Sequence, residues 1–507
     1  MLLMIKLKYF SDYGLRLRRI PVHVAATVLA ALLFMGCGDD VPFQNEAPDQ
    51  TEIETETPLQ TEAHARYVFL LIGDGMGPQQ IRLAELYHKS VIDEDTPGDM
   101  LFSLFPVQTT VTTFSENSEI TDSAAAATAI ASGHKTGNEI VGEDIDLKKD
   151  FEPITAKAKK EGYKVGILTS ASIDHATPAG FYAHQDDRND YYEIAMQLGK
   201  TGFDFFGGGG FRKPIGEEDD LPDAYDITAD AGYRVTRDKD ELTQALSNAA
   251  KILAVHPVLL DKGDIPWAME PAYELLPLSE FTHSAISFLD NPDGFFMMVE
   301  GGKIDWACHD NDAASVIHEV LAFNDTVKEA IAFYEQHPDE TLIVVTADHE
   351  TGGLGLGNTV KGKKLRAWRF EHQTLPLDPL KDTLDEAVKN GDSFEELMDL
   401  INRLTGLGND DYDLSLSDDE LAVFENAYLY KIASDDERDD MEKPPTTNFA
   451  RIAIDLLTEK AGVGWTTDNH TAAKVPLFAL GVGQERFDAP MDNTDIPTFI
   501  EQAMGIN

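Results

Sequence analysis

The sequence predicts an α/β fold: a doubly wound, largely parallel central sheet with helices on both faces, carrying a mostly helical insertion. Three observations support this. Short, unalternated apolar runs recur at 67–72, 165–168, 295–299, 342–346 and 475–480, and runs of that length rich in Val, Ile and Phe suit strands buried on both faces of a parallel sheet. Helical patterns lie between them, the clearest placing Val316, Val320, Phe323, Val327 and Ile331 at spacings of three and four, one apolar stripe on an amphipathic helix. From about 361 to 459 the chain turns polar, acidic and helical, and Ser417-Asp418-Asp419-Glu420 before Leu421 is a capping-box signature.

The chain has 507 residues, 42% of them hydrophobic, enough for one large domain with insertions or for several smaller ones. Its 90 acidic residues against 41 basic ones leave a formal charge of -49. Such a field repels polyanions, so nucleic acid is not an expected partner. Lys6, Lys8, Arg16, Arg18 and Arg19 precede an apolar run at 24–35 that is too short for a comfortable membrane span, the pattern of an export signal. Gly36-Cys37-Gly38 follows and resembles a bacterial lipobox, which would acylate Cys37 and hold the exported protein to a membrane in the periplasm or at the cell surface; plain cleavage nearby is the alternative. Cys308 is then the one remaining thiol, and no disulfide framework exists. The expected organisation is a signal peptide and lipobox over 1–37, a flexible acidic tether over 38–65, and a folded domain over 66–507 with the helical insertion at about 361–459. Acidic clusters at 409–413 and 435–440 read first as solvated loops, with calcium as the lesser alternative.

Chemistry-bearing residues gather at strand ends, where ligands bind in parallel α/β sheets. Asp74 follows the first strand within Gly73-Asp74-Gly75-Met76-Gly77, Glu300 ends the third run, and Asp348-His349 ends the fourth. Asp305 and His309 are four apart, on one face of a helical turn, a spacing that suits a single zinc. His470 comes just before the last strand. Each alone reads as a helix cap or a packed histidine; together they form the nitrogen-and-oxygen donor set of a multi-metal hydrolase.

Thr121-Asp122-Ser123 heads an alanine-rich helix whose first-turn amides and dipole face Ser123. That is a simple cap or, beside a metal, a nucleophile next to a phosphate site. Further on come His175-Ala176-Thr177-Pro178 and Arg188: Thr177 can offer magnesium an uncharged oxygen, and Arg188 has the fork that grips two phosphate oxygens, although by itself it reads as a surface charge. The glycines at 207–210 read as a tight turn without a catalytic role.

These motifs, in this order and covering most of 68–483, resemble the alkaline phosphatase family: Gly-Asp-Gly-Met-Gly, Thr-Asp-Ser-Ala-Ala, Ala-Thr-Pro-Ala with a downstream Arg, Val-Glu-Gly-Gly-Lys-Ile-Asp with a following His, Thr-Ala-Asp-His, and His-Thr before the final strand. The resemblance implies an alkaline phosphatase-like fold. It implies one zinc on Asp305, His309 and His470, a second on Asp74, Asp348 and His349 with Ser123, magnesium on Asp74, Thr177 and Glu300, and Arg188 on the non-bridging phosphate oxygens. One branch of the family has Asp and Lys where this chain has His175 and Trp306; members with His and Trp exist, and these two positions bear on magnesium affinity and on how tightly phosphate is held.

The implied function is hydrolysis of small phosphate monoesters through a phosphoserine, with broad specificity, an alkaline pH optimum and an insertion able to narrow access; homodimers are common in the family. The alternatives are a phosphodiesterase of the same superfamily and a non-catalytic phosphate- or metal-binding lipoprotein. Thr177 and Glu300 speak against the first, Asp122-Ser123 against the second.

Overall fold

The computed structural model describes residues 64–92, 98–358 and 364–506. The export signal, Cys37, the tether through residue 63 and the first residues of the insertion, 361–363, lie outside the described residues. Ala65 is buried, and its amide donates to the Ala503 carbonyl at 2.7 Å, tying the start of the fold to its last helix.

The strands are β1 (Tyr67–Gly73), β2 (Val107–Thr112), β3 (Lys164–Thr169), β4 (Phe205–Gly208), β5 (Tyr233–Thr236), β6 (Lys251–Val255), β7 (Phe295–Gly301), β8 (Thr341–Thr346), β9 (Glu350–Thr351), β10 (Gly355–Leu356), β11 (Val463–Gly464), β12 (His470–Thr471), β13 (Val475–Gly481) and β14 (Met491–Asp492). Ten form one sheet in the order β14-β2-β13-β8-β1-β7-β3-β4-β6-β5. The central strands β1, β7 and β8 are buried along their whole length, which is why their sequences run apolar without alternation. From β8 through β5 every pairing is parallel. The last expected strand differs: β13 runs antiparallel to both β8 and β2.

Helices and sheet share one hydrophobic core. The predicted amphipathic helix spans Ala313–Tyr334, burying Val316, Val320, Phe323 and Val327 and leaving Ile331 partly covered. The insertion supplies the helices Leu377–Lys389, Phe394–Thr405, Asp418–Ile432 and Phe449–Ala461. They build a second core in which Leu380, Leu384, Leu397, Ile401, Phe424 and Phe449 close against Leu83, Ala313 and Ile317 of the main fold. Capping boxes start two of them, Ser393 with Glu396 and the predicted Ser417 with Glu420. The acidic stretch at 435–440 starts with a short helix, and Asp413 of the other pairs with Arg369.

Asp312 fastens the insertion to the site. Its carboxylate caps the long helix through the Ser315 amide at 3.2 Å, and also accepts from Gln373 Nε2 at 2.9 Å and the Leu377 amide at 3.1 Å. The glycine run that ends β4 is a packing device. Gly208 has φ +127°, and a Cβ there would lie 1.7 Å from the Thr169 carbonyl oxygen. Gly208→Ala is expected to destabilise the protein by more than about 1 kcal/mol, because both the conformation and the space forbid a side chain; denaturant unfolding measures it.

Candidate metal centre and nucleophile

The sheet sets the site at one edge. Asp74 follows β1, Glu300 lies at the end of β7, and Asp348 and His349 follow β8, three parallel neighbours whose carboxyl ends coincide. Because β13 is antiparallel, a residue that precedes it reaches the same edge as residues that follow the others. His470 does so through the short β12–β9 pairing, which sets it opposite Thr351. Gly75 makes the approach possible: at φ +71°, a Cβ there would come within 2.8 Å of Asp305 Cα.

Asp305, His309 and His470 form the first group, with ligand atoms mutually within 4.8 Å. Asp305 and His309 lie on one helix, Lys303–His309, and His309 Nε2 is 3.2 Å from Asp305 Oδ2. His309 Nδ1 faces the Asp468 carbonyl at 2.6 Å, and His470 Nδ1 the Thr121 carbonyl at 2.8 Å. A carbonyl can only accept, so each ring donates from Nδ1, and in its neutral form each turns an Nε2 lone pair toward the other across 3.2 Å. Two facing lone pairs beside a carboxylate are the donor arrangement of a cation site. Burial pushes the His309 imidazole down, yet Asp305 lifts it to about 9.

The second group gathers Asp74, Asp305 and His349, all buried. Asp348 adjoins it: Oδ1 accepts from the Gly75 amide at 3.1 Å and the His349 amide at 2.8 Å, while Oδ2 lies 3.2 Å from His349 Nε2. Asp305 thus stands between the groups, its Oδ1 3.6 Å from His470 Nε2 and bonded at 2.5 Å by Thr351 Oγ1. The third group is Asp74, His175 and Glu300. Glu300 Oε2 accepts from Thr169 Oγ1, whereas Glu300 Oε1, Thr177 Oγ1, His175 Nδ1, Asp348 Oδ2 and both Asp74 oxygens are buried without a hydrogen-bond partner. Burial, then the charges of Asp348, Asp305 and Glu300, push the Asp74 carboxyl well above its ordinary range. Burial and Asp305 carry Asp348 to about 7. Orphaned oxygens at that density fit cations, oxygen-rich around Asp74 and Glu300, mixed with imidazole around His349 and His470.

Ser123 opens the helix Ser123–Ser132, nearly fully buried, with Oγ 3.2 Å from His349 Nε2. Asp122 caps that helix through Oδ1 on the Ala125 amide at 3.0 Å; its Oδ2 takes Arg188 Nη1, also at 3.0 Å. Arg188 is therefore no free surface charge. Its Nη2 lies 3.4 Å from His175 Nε2, and His175 stands edge-on to the Trp306 ring with centroids 5.8 Å apart. A pocket of about 540 Å³ opens over Ser123, Arg188, His309 and His470, with Lys262, Trp306 and Asp378 at its wall.

A hydroxyl, an aimed guanidinium and three cation-ready groups on the edge of a doubly wound sheet define a metal-dependent hydrolase of the α/β class. The alkaline phosphatase family model matches residues 65–202 and 212–506, and the chain belongs to that family of enzymes. Alkaline phosphatase 4 of Bacillus subtilis (strain 168) is 30% identical over 501 residues, covering 97% of each chain. Among solved structures, the cold-active alkaline phosphatase of a psychrophilic Shewanella superposes with a TM-score of 0.71 at 27% identity, over 86% of this chain and 99% of that one. A His-to-Asp mutant of TAB5 alkaline phosphatase, solved with Mg bound in its M3 site, gives 0.61 at 25% identity, over 88% and 99%.

Sequence reasoning passed over the residues that hold these groups in place. Glu350, next to His349, accepts from Gln80 Nε2 at 2.7 Å and from Thr471 Oγ1, locking the loop that carries His470. Beneath the Lys303–His309 helix, fully buried Lys303 donates to Asp264 Oδ2 at 2.7 Å and to the Ile265 carbonyl at 2.8 Å. Glu319 lies beside this pair and accepts from the Ala268 amide at 2.8 Å. Burial, only partly opposed by Lys303, raises its carboxyl from 4.5 to about 7. No local pattern marks any of them, since each is defined by a partner far away in the chain.

A carboxyl whose folded pKa lies above its unfolded one costs no stability below about pH 4.5 and its full penalty above about pH 7. Glu319→Gln keeps an acceptor for Ala268 and removes the ionisation. It is expected to raise the melting temperature at pH 9 by roughly 1–3 °C and to change it much less at pH 5, by calorimetry of the metal-loaded protein.

Proposed function

We propose that the protein hydrolyses phosphate monoesters through a phosphoserine at Ser123 and releases inorganic phosphate, using two zinc ions and one magnesium ion. The observation that supports this most directly is the buried Ser123 hydroxyl, 3.2 Å from His349 Nε2, the same ring nitrogen that lies 3.5 Å from Asp74 Oδ1 and 3.2 Å from Asp348 Oδ2. Asp305, His309 and His470 would hold one zinc, and Asp74, Asp348 and His349 the other. Asp74, Thr177 and Glu300 would hold magnesium, His175 lying close enough to contribute; the magnesium in the TAB5 mutant supports a third site of this kind. When bound, such ions lower the pKa of a hydroxyl or water and offset charge on the attacking and leaving oxygens.

The chain's own groups do the rest. The positive end of the Ser123–Ser132 helix favours the phosphate dianion. Asp122 aims the Arg188 guanidinium at two non-bridging oxygens. Ser123 Oγ, having given up its proton to solvent, attacks phosphorus in line, forming the Oγ–P bond as the ester O–P bond breaks; the leaving oxygen departs on the far side and takes a proton from water, giving the alcohol. Water then attacks the phosphoserine from the side the alcohol vacated; the Oγ–P bond breaks, phosphate departs, and Oγ is regenerated. Deprotonated hydroxyl and water accumulate as pH rises, hence an alkaline optimum. Export, acylation at Cys37 and dimerisation belong to the same proposal.

Ser123→Ala is expected to cut kcat on an aryl phosphate by roughly 10³-fold or more while elemental analysis finds the metal content nearly intact; unchanged turnover overturns the nucleophile assignment. Chelation should abolish turnover, and zinc with magnesium should restore it. An aryl phosphate should be cleaved faster than the matching diester; the reverse order would favour the phosphodiesterase reading.

A further inference from the structure

Trp306 occupies the wall of the pocket, and a lysine from another part of the chain leans on it. Lys262 is exposed, lines the same pocket as Ser123 and Arg188, and places Nζ 4.6 Å from the centre of the Trp306 ring. Its backbone is held. The Leu260 amide donates to the Asp264 carbonyl at 2.9 Å, and the Gly210 amide to the Gly263 carbonyl at 2.7 Å. The Asp264 side chain is in turn gripped by buried Lys303 at 2.7 Å. Lys262 is thus an exposed cation on a pinned turn at the mouth of the site, not a wandering surface charge.

The surrounding charges give it a task. The other cation on the wall, Arg188, is already bound to Asp122 at 3.0 Å. The mouth otherwise carries the carboxylates Glu139, Asp310 and Asp378, in a protein of formal charge -49. Among the described residues Lys262 makes no salt bridge, and its contact with the Trp306 face is weak enough to be exchanged for an anion. Lys262 lies close enough to Asp310, the residue after His309, for the two charges to interact, which puts it by the His309 wall of the pocket; this wall is taken as the one the leaving group passes.

We propose that Lys262 is a specificity-determining residue that binds a negatively charged substituent on the leaving group, so that monoesters of anionic alcohols or phenols are admitted past the acidic mouth. This rests on the phosphatase reading. Asp378, brought to the mouth by the insertion, opposes it and sets the preference from the other sign.

The test is a ratio: kcat/KM for 4-carboxyphenyl phosphate divided by that for phenyl phosphate, in the metal-loaded wild type and in Lys262→Met, which keeps the apolar stem over Trp306. The ratio is expected to fall roughly two- to fivefold in Lys262→Met, to return in Lys262→Arg, and to rise in Asp378→Asn, each effect shrinking at high salt. Proportional loss on both substrates, leaving the ratio unchanged, overturns the proposal. Calorimetric affinities of 4-carboxyphenylphosphonate and phenylphosphonate read the same ratio without turnover. A protein that binds both phosphonates with the expected Lys262 dependence yet cleaves neither ester sinks the catalytic reading alone, and equal affinities unaffected by Lys262→Met sink this one alone.

Discussion

Everything at the site depends on mutual repulsion that the fold imposes and cannot relieve by itself. Asp74, Glu300, Asp305 and Asp348 are buried at one sheet edge, Asp74 has ligand oxygens within 4.8 Å of both Asp305 and Glu300, and both Asp74 oxygens, Glu300 Oε1 and Asp348 Oδ2 lack a hydrogen-bond partner. Removing such charges from water costs far more than any neutral hydrogen bond returns. The upward push on Asp74 and Asp348, and the downward push on His349 by burial and by His470, express that cost in proton affinities. Cations resolve it in one stroke, so metal affinity and folding stability are expected to be the same free energy seen from two sides.

A cluster of this kind needs a rigid mount. Three central strands buried along their full length supply it, and a ring of outer contacts aims each donor. Backbone carbonyls of Thr121 and Asp468 set the tautomers of His470 and His309, Thr351 and Gly75 crowd Asp305, and Glu350 locks the loop behind His470. Asp122 joins two duties, capping the helix that opens with Ser123 and pairing with Arg188, so one carboxylate positions both. The insertion is tied in less deeply, through Asp312 and a second apolar core, and it reaches the mouth rather than the floor of the pocket.

The net charge of -49 would hinder an anionic substrate if it were uniform. Locally it is not. The helix start at Ser123, Arg188 and the cation-ready groups make the floor electropositive once metals are held, while the acidic surface concentrates the cations that fill it. The charges left at the mouth are Lys262 against Glu139, Asp310 and Asp378.

Much of this was legible along the chain. Continuous apolar runs became β1, β3, β7, β8 and β13 because strands buried on both faces leave no alternation to read, and the stripe from Val316 to Val327 became the buried face of one long helix. The residues that the fold gathers at the candidate site were legible too, since strand-end acids, an Asp-Ser pair before an alanine helix and a four-residue Asp–His spacing are local patterns. The tertiary structure alone decided the reversed direction of β13, which brings His470 to the shared edge, the commitment of Arg188 to Asp122, the position of Asp305 between two groups, and the placing of Lys262 over Trp306. The division has a physical cause. Burial patterns and helix starts are imposed by neighbours in sequence, whereas charge pairing and convergence are fixed only when segments hundreds of residues apart are pressed against one sheet.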